Sequence, residues 1–257
     1  MKPDELLAQT THRPYPLADG PWVMAQTWYD LLFAHWPLEP ANLRPHLPAQ
    51  LTLDTYEGQA WVGVVPFGMT RVYPRRLWPA PWLSHFLELN VRTYVTDGKR
   101  PGVYFFSLDA ANPVAVEIAR RWYQLPYFSA RMSARRAGGW THYRSYRIHR
   151  GAPPAEFEAR YRPSGPVSLA KPGSLEAWLT ERYCLYLVTR AGKVFRGEIH
   201  HPRWPLQPAE ATISANSMAA SHGLVLPSTE PKLHYAKRLD TIEWPIRQVT
   251  LATVRSS

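Results

Sequence analysis

Between residues 85 and 110 the chain reads HFLELNVRTYVTDGKRPGVYFFSLDA, and polar groups recur at every second position: Glu88, Asn90, Arg92 and Tyr94 alternate with Leu89, Val91 and Thr93. A period of two places the four on one face of a β-strand, as either a solvated face or the lining of a cavity. The Thr96-Asp97-Gly98 turn then joins LELNVRTYV to GVYFFSLDA as an antiparallel hairpin. LTLDTY (51–56) and QAWVGVVPFGMTRVYP (59–74) are strands separated by Glu57-Gly58. LPYFSARMSARR and GWTHYRSYRIHR flank Gly138-Gly139 as a second hairpin, and PAEFEARYRP (154–163) continues the sheet.

Helical patterns are short. WVMAQTWYDLLFAHW (22–36) is the best early candidate, with a part-strand reading as the alternative, closed by Pro37, and EPANLRPHLP (39–48) is a short helix ending in a turn. NPVAVEIARRWY (112–123) carries Asn112 as a cap and Pro113 at its first position. PGSLEAWLTERYCLYLVTRAG (172–192) begins as a helix at Ser174, with Glu176 in its first turn, and gives way near Arg182 to YCLYLVTR and then VFRGEIHH. ATISANSMAASHG (211–223) reads as irregular or helical. With 26 prolines punctuating the chain, long helices are disfavoured. The expectation is a mainly β (α+β) fold, an antiparallel barrel or sandwich with a few short helices, in one domain spanning 1–257.

Composition narrows the function. At 45% hydrophobic and 19% charged, with 11 tryptophans, the chain has ample core material. No segment approaches the ~20 apolar residues of a membrane span, and the first twenty residues lack an apolar leader core. The single cysteine, Cys184, excludes an internal disulfide. These absences lead us to expect a cytoplasmic protein without membrane association. The formal charge is +10, but the basic groups (RRLW at 75–78, ARRWYQ at 119–124, SARR at 133–136) are short and dispersed. No nucleic-acid-binding module is visible, so no nucleic-acid partner is expected; arginine forks for ion pairs and anions are the better reading.

Candidate chemistry centres on the alternating strand. As a cavity wall it would offer Arg92 as an anion clamp, Glu88 as acid or base, and Asn90 and Tyr94 as further ligand contacts. Of the six lysines, only Lys232 and Lys237 lie in mixed polar and aromatic surroundings. His200 and His201 are adjacent, and neighbouring strand residues point to opposite faces, so they do not share a metal ion easily. No nucleophile elbow, phosphate loop or dinucleotide fingerprint is present. No metal and no cofactor is expected.

Long stretches, among them WYDLLFAHWPLEPANLRPHLPAQLTLDTYEGQAWVGVVPFGM, ELNVRTYVTDGKRPGVYFFSLDA, ARRWYQLPYFSARM and PKLHYAKRLDTIEWP, resemble the uncharacterised DUF2071 (YqjF-like) family over about residues 22–245. That family is in turn similar to the acetoacetate decarboxylase-like superfamily. The resemblance implies a mainly antiparallel, cone-shaped β-barrel with a closed internal cavity. In acetoacetate decarboxylases an arginine-bearing helix leads into a Gly-x-Pro-Lys-Lys element, and one of its lysines forms a Schiff base. The matching piece here is Arg120 followed by QLPYFSA. Pro126 keeps its place, while Tyr127 and Phe128 stand at the lysine positions and Glu88 is retained.

The expected function is therefore binding of a small anionic or carbonyl-containing molecule in the barrel without Schiff-base chemistry, with Tyr127 and Glu88 as catalytic candidates and Arg120 beside Asn90, Arg92 and Tyr94 as ligand contacts. Two alternatives stand beside it: a non-covalent lyase or isomerase acting on a keto acid-like substrate, and a structural or interaction protein with a filled core. A homo-oligomer is left open.

Overall fold

The computed structural model describes residues 1–77, 84–122 and 124–249. Its strands in chain order are β1 (Met24–Leu38), β2 (Thr52–Leu53), β3 (Ala60–Pro74), β4 (Phe86–Thr96), β5 (Pro101–Ala110), β6 (Tyr127–Ala137), β7 (Trp140–Arg147), β8 (Glu156–Pro163), β9 (Ser168–Leu169), β10 (Cys184–Val188), β11 (Val194–His200), β12 (Pro205–Asn216), β13 (Lys232–Glu243) and β14 (Arg247–Gln248). Short helices α1 (Pro3–Leu7), α2 (Pro40–Leu43), α3 (Pro113–Trp122) and α4 (Leu175–Thr180) lie between them.

Strand order β5-β6-β7-β8-β12-β13-β1-β3-β4, with β4 pairing back to β5, closes a nine-stranded barrel. β10 runs parallel to β5, and β11 reaches from β10 to β13. These additions close a smaller ring on the other side of β13, β1, β3, β4 and β5. Closure leaves those five strands with few free edges and a covered surface on each face. On one face Leu89, Val91, Val62, Val64, Tyr143, Phe157 and Tyr161 form the core of the nine-stranded barrel. On the other, Phe33, Val65, Phe67, Phe86, Ala110 and Trp204 form a second core, with Tyr127 and Trp28 against it.

This double burial explains why β1 reads as a strand only in part in the sequence. Residues 22–36, the best early helical candidate, instead lie largely in the fifteen-residue strand β1, and Leu31 through Trp36 are all buried. With apolar side chains wanted on both faces, the alternation that marks a one-sided strand disappears. A bulge where Tyr29 and Ala34 shift register against β3 disturbs the pattern further, with Asp30 at φ 53°.

The segment 211–223 also differs from its irregular or helical reading: β12 continues to Asn216, and only Ala220–His222 forms a 3₁₀ turn. Partners on β8 supply the ladder that the local sequence does not announce. LTLDTY contributes only the two residues of β2. Other elements lie where expected. Asn112 Oδ1 accepts from the Val114 and Ala115 amides at the start of α3, and Ser174 Oγ accepts from the Ala177 amide in α4. The expected end of α3 at residue 123, like Trp78 of RRLW, lies outside the described residues. Among the described residues no helix is long and apolar enough to cross a membrane.

Candidate functional site

The alternation in β4 separates its two faces cleanly, and both are buried. Glu88, Asn90 and Tyr94 are 3%, 5% and 0% exposed, and Arg92 is part-buried. A solvated face is ruled out. Register against β3 sets Phe67 beside Glu88, Val65 beside Asn90 and Gly63 beside Arg92. Gly63 is required there: a Cβ would meet the His35 ring at 2.9 Å and approach the Arg92 side chain at 3.5 Å. On β5 a bulge at Phe106 lets Arg92 face Phe105 after Val91 has faced Ser107.

At one end of this face the Tyr127 hydroxyl donates to Glu88 Oε2 at 2.9 Å. Parallel pairing of β6 with β5 brings Tyr127 alongside Leu108, next to the strand that carries Glu88. Burial pushes the Glu88 carboxyl up to about 8; the Tyr127 hydrogen bond lowers it, and the charges of Glu243 and Asp109 raise it. Glu88 is thus largely neutral at pH 7, a carboxylic acid able to give or take a proton in the physiological range. Glu243, at the end of β13 and on the same strand face as Thr241 and Leu239, is raised by burial to about 7.

At the other end Tyr94 donates to the Leu179 carbonyl at 2.8 Å and lies 2.7 Å from His35 Nε2. Arg92 Nη2 also reaches the Leu179 carbonyl, at 3.4 Å, and the Arg92 guanidinium lies over the Phe33 ring at 5.2 Å. Arg92 forms no salt bridge among the described residues, and its Nε is buried without a hydrogen-bond partner. Asn90 Oδ1, His35 Nδ1, Trp204 Nε1 and His234 Nδ1 are likewise buried and unpartnered. Such atoms cost roughly 1–3 kcal/mol each when nothing meets them, so they mark where a protein expects water or a ligand.

Four of the six predicted site residues, Glu88, Asn90, Arg92 and Tyr94, therefore share one buried face, and Tyr127 joins them through Glu88. Arg120 does not. It is exposed on α3 and donates from Nη1 to the Tyr127 carbonyl at 2.6 Å, fixing the start of β6 and not reaching the Glu88 side chain. Its place in the sequence, before QLPYF, carries no information about which way its long side chain leaves the helix. Phe128, next to Tyr127, points to the opposite face, where the Arg147 guanidinium lies 4.2 Å from its ring centre.

His35, Trp204 and Glu243 were not singled out from the sequence. His35 follows Leu31 and Phe33 at two-residue spacing in β1, a signal hidden by reading that segment as helix. Lys232 is ion-paired with Glu176 at 2.7 Å. Lys237 lines a surface groove of about 620 Å³ with Tyr29, Asp30, Arg136 and Arg238. Burial raises the Cys184 thiol to about 11, so it is an inert packed group. His200 and His201 turn to different partners, the Leu6 and Arg182 carbonyls. Among the described residues no cluster of three or more metal-ligating side chains occurs.

A nine-stranded barrel with this topology is the acetoacetate decarboxylase-like fold. Acetoacetate decarboxylase from Legionella pneumophila superposes with a TM-score of 0.62 at 11% identity, covering 93% of each chain. The enduracididine biosynthesis enzyme MppR complexed with pyruvate superposes with a TM-score of 0.59 at 13% identity, covering 94% of this chain and 95% of its own. Within that fold, residues 25–240 match DUF2071, an uncharacterized conserved protein family, and the chain belongs to it. The uncharacterized protein YqjF of Bacillus subtilis (strain 168) is 47% identical over 230 residues, 90% of this chain and 94% of its own length.

Proposed function

We propose that the protein binds a small anionic or carbonyl-containing molecule, non-covalently, on the buried face formed by Glu88, Asn90, Arg92 and Tyr127. The observation that carries this reading is Arg92, a part-buried guanidinium with an unpartnered Nε and no carboxylate partner among the described residues. A buried cation without a counter-ion is costly, and a ligand carboxylate or carbonyl oxygen would relieve that cost through the guanidinium fork. Glu88 and Tyr127 at the far end then face the rest of the ligand as a neutral acid and a phenol. Support also comes from the fold neighbour MppR, a structure of which holds pyruvate, a keto acid of this chemical class.

Amine chemistry is not part of the proposal. By the sequence resemblance Tyr127 stands where the decarboxylases carry a lysine, and a phenol does not condense with a ketone. Native mass spectrometry of the protein as purified, against the denatured chain, tests the reading. We expect a small acid of defined mass that leaves on unfolding, or, from apo protein, retention of added pyruvate or acetoacetate that Arg92→Gln abolishes. Equal retention by R92Q would remove the anion clamp. An adduct surviving borohydride treatment and mapping to Lys232 or Lys237 would overturn the non-covalent assignment.

A second reading is supported by Glu88 itself. A carboxyl near 8 with a phenol donating to it is suited to moving a proton at the carbon next to a carbonyl, so an isomerase or non-covalent lyase is the enzymatic form of the same site. Exchange of the α-protons of bound keto acid with deuterated solvent, present in the wild type and lost in Glu88→Gln, separates this reading from binding alone.

A further inference from the structure

Phe33 is the hub of the cationic end of the site. Its ring lies 5.2 Å from the Arg92 guanidinium carbon, 4.8 Å from the Trp204 ring and 6.0 Å from the His35 ring, so all three groups gather around one side chain. Each carries a buried nitrogen without a partner: Arg92 Nε, Trp204 Nε1 and His35 Nδ1. The first two are N–H donors, which suit the acceptor oxygens of a carboxylate. The third has a different role, and its neighbours determine which.

Tyr94 owns a single hydroxyl proton. Its oxygen lies 2.8 Å from the Leu179 carbonyl and 2.7 Å from His35 Nε2. The carbonyl is an acceptor only, so the proton goes to Leu179 and the phenolic oxygen must accept from His35. Nε2 therefore carries the ring hydrogen. His35 is neutral, because complete burial and the charges of Arg92, His234 and Lys232 hold its pKa well below the usual histidine range. In a neutral imidazole with Nε2–H, Nδ1 is a bare acceptor. The site therefore presents two donors and one fixed acceptor around Phe33, a set that a plain keto acid, which has acceptors only, cannot satisfy.

We propose that His35 is a ligand-recognition residue, locked in one tautomer by Tyr94, and that the ligand is a small hydroxycarboxylate or enol whose hydroxyl donates to Nδ1. The inference rests on the anion-binding reading above and names the class of molecule within it. Charge selects the hydroxyl over an ammonium group. Arg92 makes the surroundings of His35 positive, and a second cation there would be repelled. Tyr94 is a positioning residue in this scheme, acting through the ring it orients.

The test pairs each acid with its oxidised counterpart: lactate with pyruvate, and 3-hydroxybutyrate with acetoacetate. In ¹⁵N-histidine-labelled protein between pH 6 and 8 we expect His35 to show a protonated Nε2 and an unprotonated Nδ1. Addition of the hydroxy acid should shift the Nδ1 resonance, and it should bind about tenfold more tightly than its keto partner, the worth of one added hydrogen bond to a buried group. Tyr94→Phe removes the lock and is expected to yield mixed tautomers and lose the preference while still binding the carboxylate. An Nδ1–H tautomer in the wild type, or equal binding of both members of each pair without an Nδ1 shift, would overturn the inference and leave anion binding standing. Failure of all four acids to bind would remove both.

Discussion

The two faces of β4 and β5 solve the burial of charge in opposite ways. Toward the nine-stranded barrel, Asp109 meets Arg147 through two parallel contacts, Nε to Oδ1 and Nη2 to Oδ2, each 2.7 Å, with side chains 0% and 1% exposed. Toward the smaller ring, Glu88 has a phenol and no cation, and Arg92 has a carbonyl and no carboxylate among the described residues. The same strands thus carry a closed ion pair on one side and, on the other, a neutral acid and an unpaired cation held apart. The first arrangement serves structure; the second is the one that the proposed ligand would complete.

The largest effect should fall on the closed side. Asp109→Ala leaves a guanidinium buried with no counter-ion and should cost about 3–5 kcal/mol in urea unfolding. Arg92→Met, in contrast, breaks no salt bridge and removes an awkward cation from a partly apolar setting, so its cost should stay within about 1 kcal/mol or turn into a gain. If the two variants lose equal stability, Arg92 is structural and the contrast between the faces is gone.

Glu88 gives the next effect, and its sign is fixed by burial. A carboxyl at about 8 in the folded chain and near 4.5 when exposed keeps its proton in the folded state while the unfolded chain loses its own. Stability from this group is therefore complete below about pH 4.5 and drains away as pH rises toward 8. The difference is on the order of a few kcal/mol. Glu88→Gln cannot ionise, so relative to wild type it should gain stability between pH 5 and pH 8, read from urea midpoints at both. A constant difference across that range would mean that Glu88 is ionised in the fold and has a cation partner.

How far these faces are legible in sequence depends on how many neighbours a strand has. β4 announces itself because its two faces differ in chemistry, polar at Glu88, Asn90 and Arg92 and apolar at Leu89 and Val91. β1 is packed on both sides with the same kind of residue, so periodicity fails and His35 is lost with it. Trp204 and Glu243 lie more than a hundred residues beyond Glu88 in the chain, and only barrel closure brings them to its side. Arg120 is the reverse case: the resemblance suggested it from its place before QLPYFSA, and it lies exposed on the helix, donating to a backbone carbonyl. The resemblance supplied the barrel, and local pattern alone left barrel and sandwich undecided.

The smallest effect is the sharpest probe of how the Glu88 face works. Tyr127→Phe removes one hydroxyl and leaves the ring packed against the second core. Its stability cost should be about 1 kcal/mol, that of one hydrogen bond. Because the phenol lowers the Glu88 pKa, its loss should raise that pKa further, holding the carboxyl neutral to higher pH. The protonated carboxyl stretch in the infrared, followed against pH in the wild type and in Y127F with E88Q as the blank, reads this directly. An upward move shows that Tyr127 favours the charged form, the role of a group that eases proton release from Glu88. A downward move would mean that the phenol serves the neutral acid, and Glu88 would then be a fixed donor to the ligand, with no part in proton transfer.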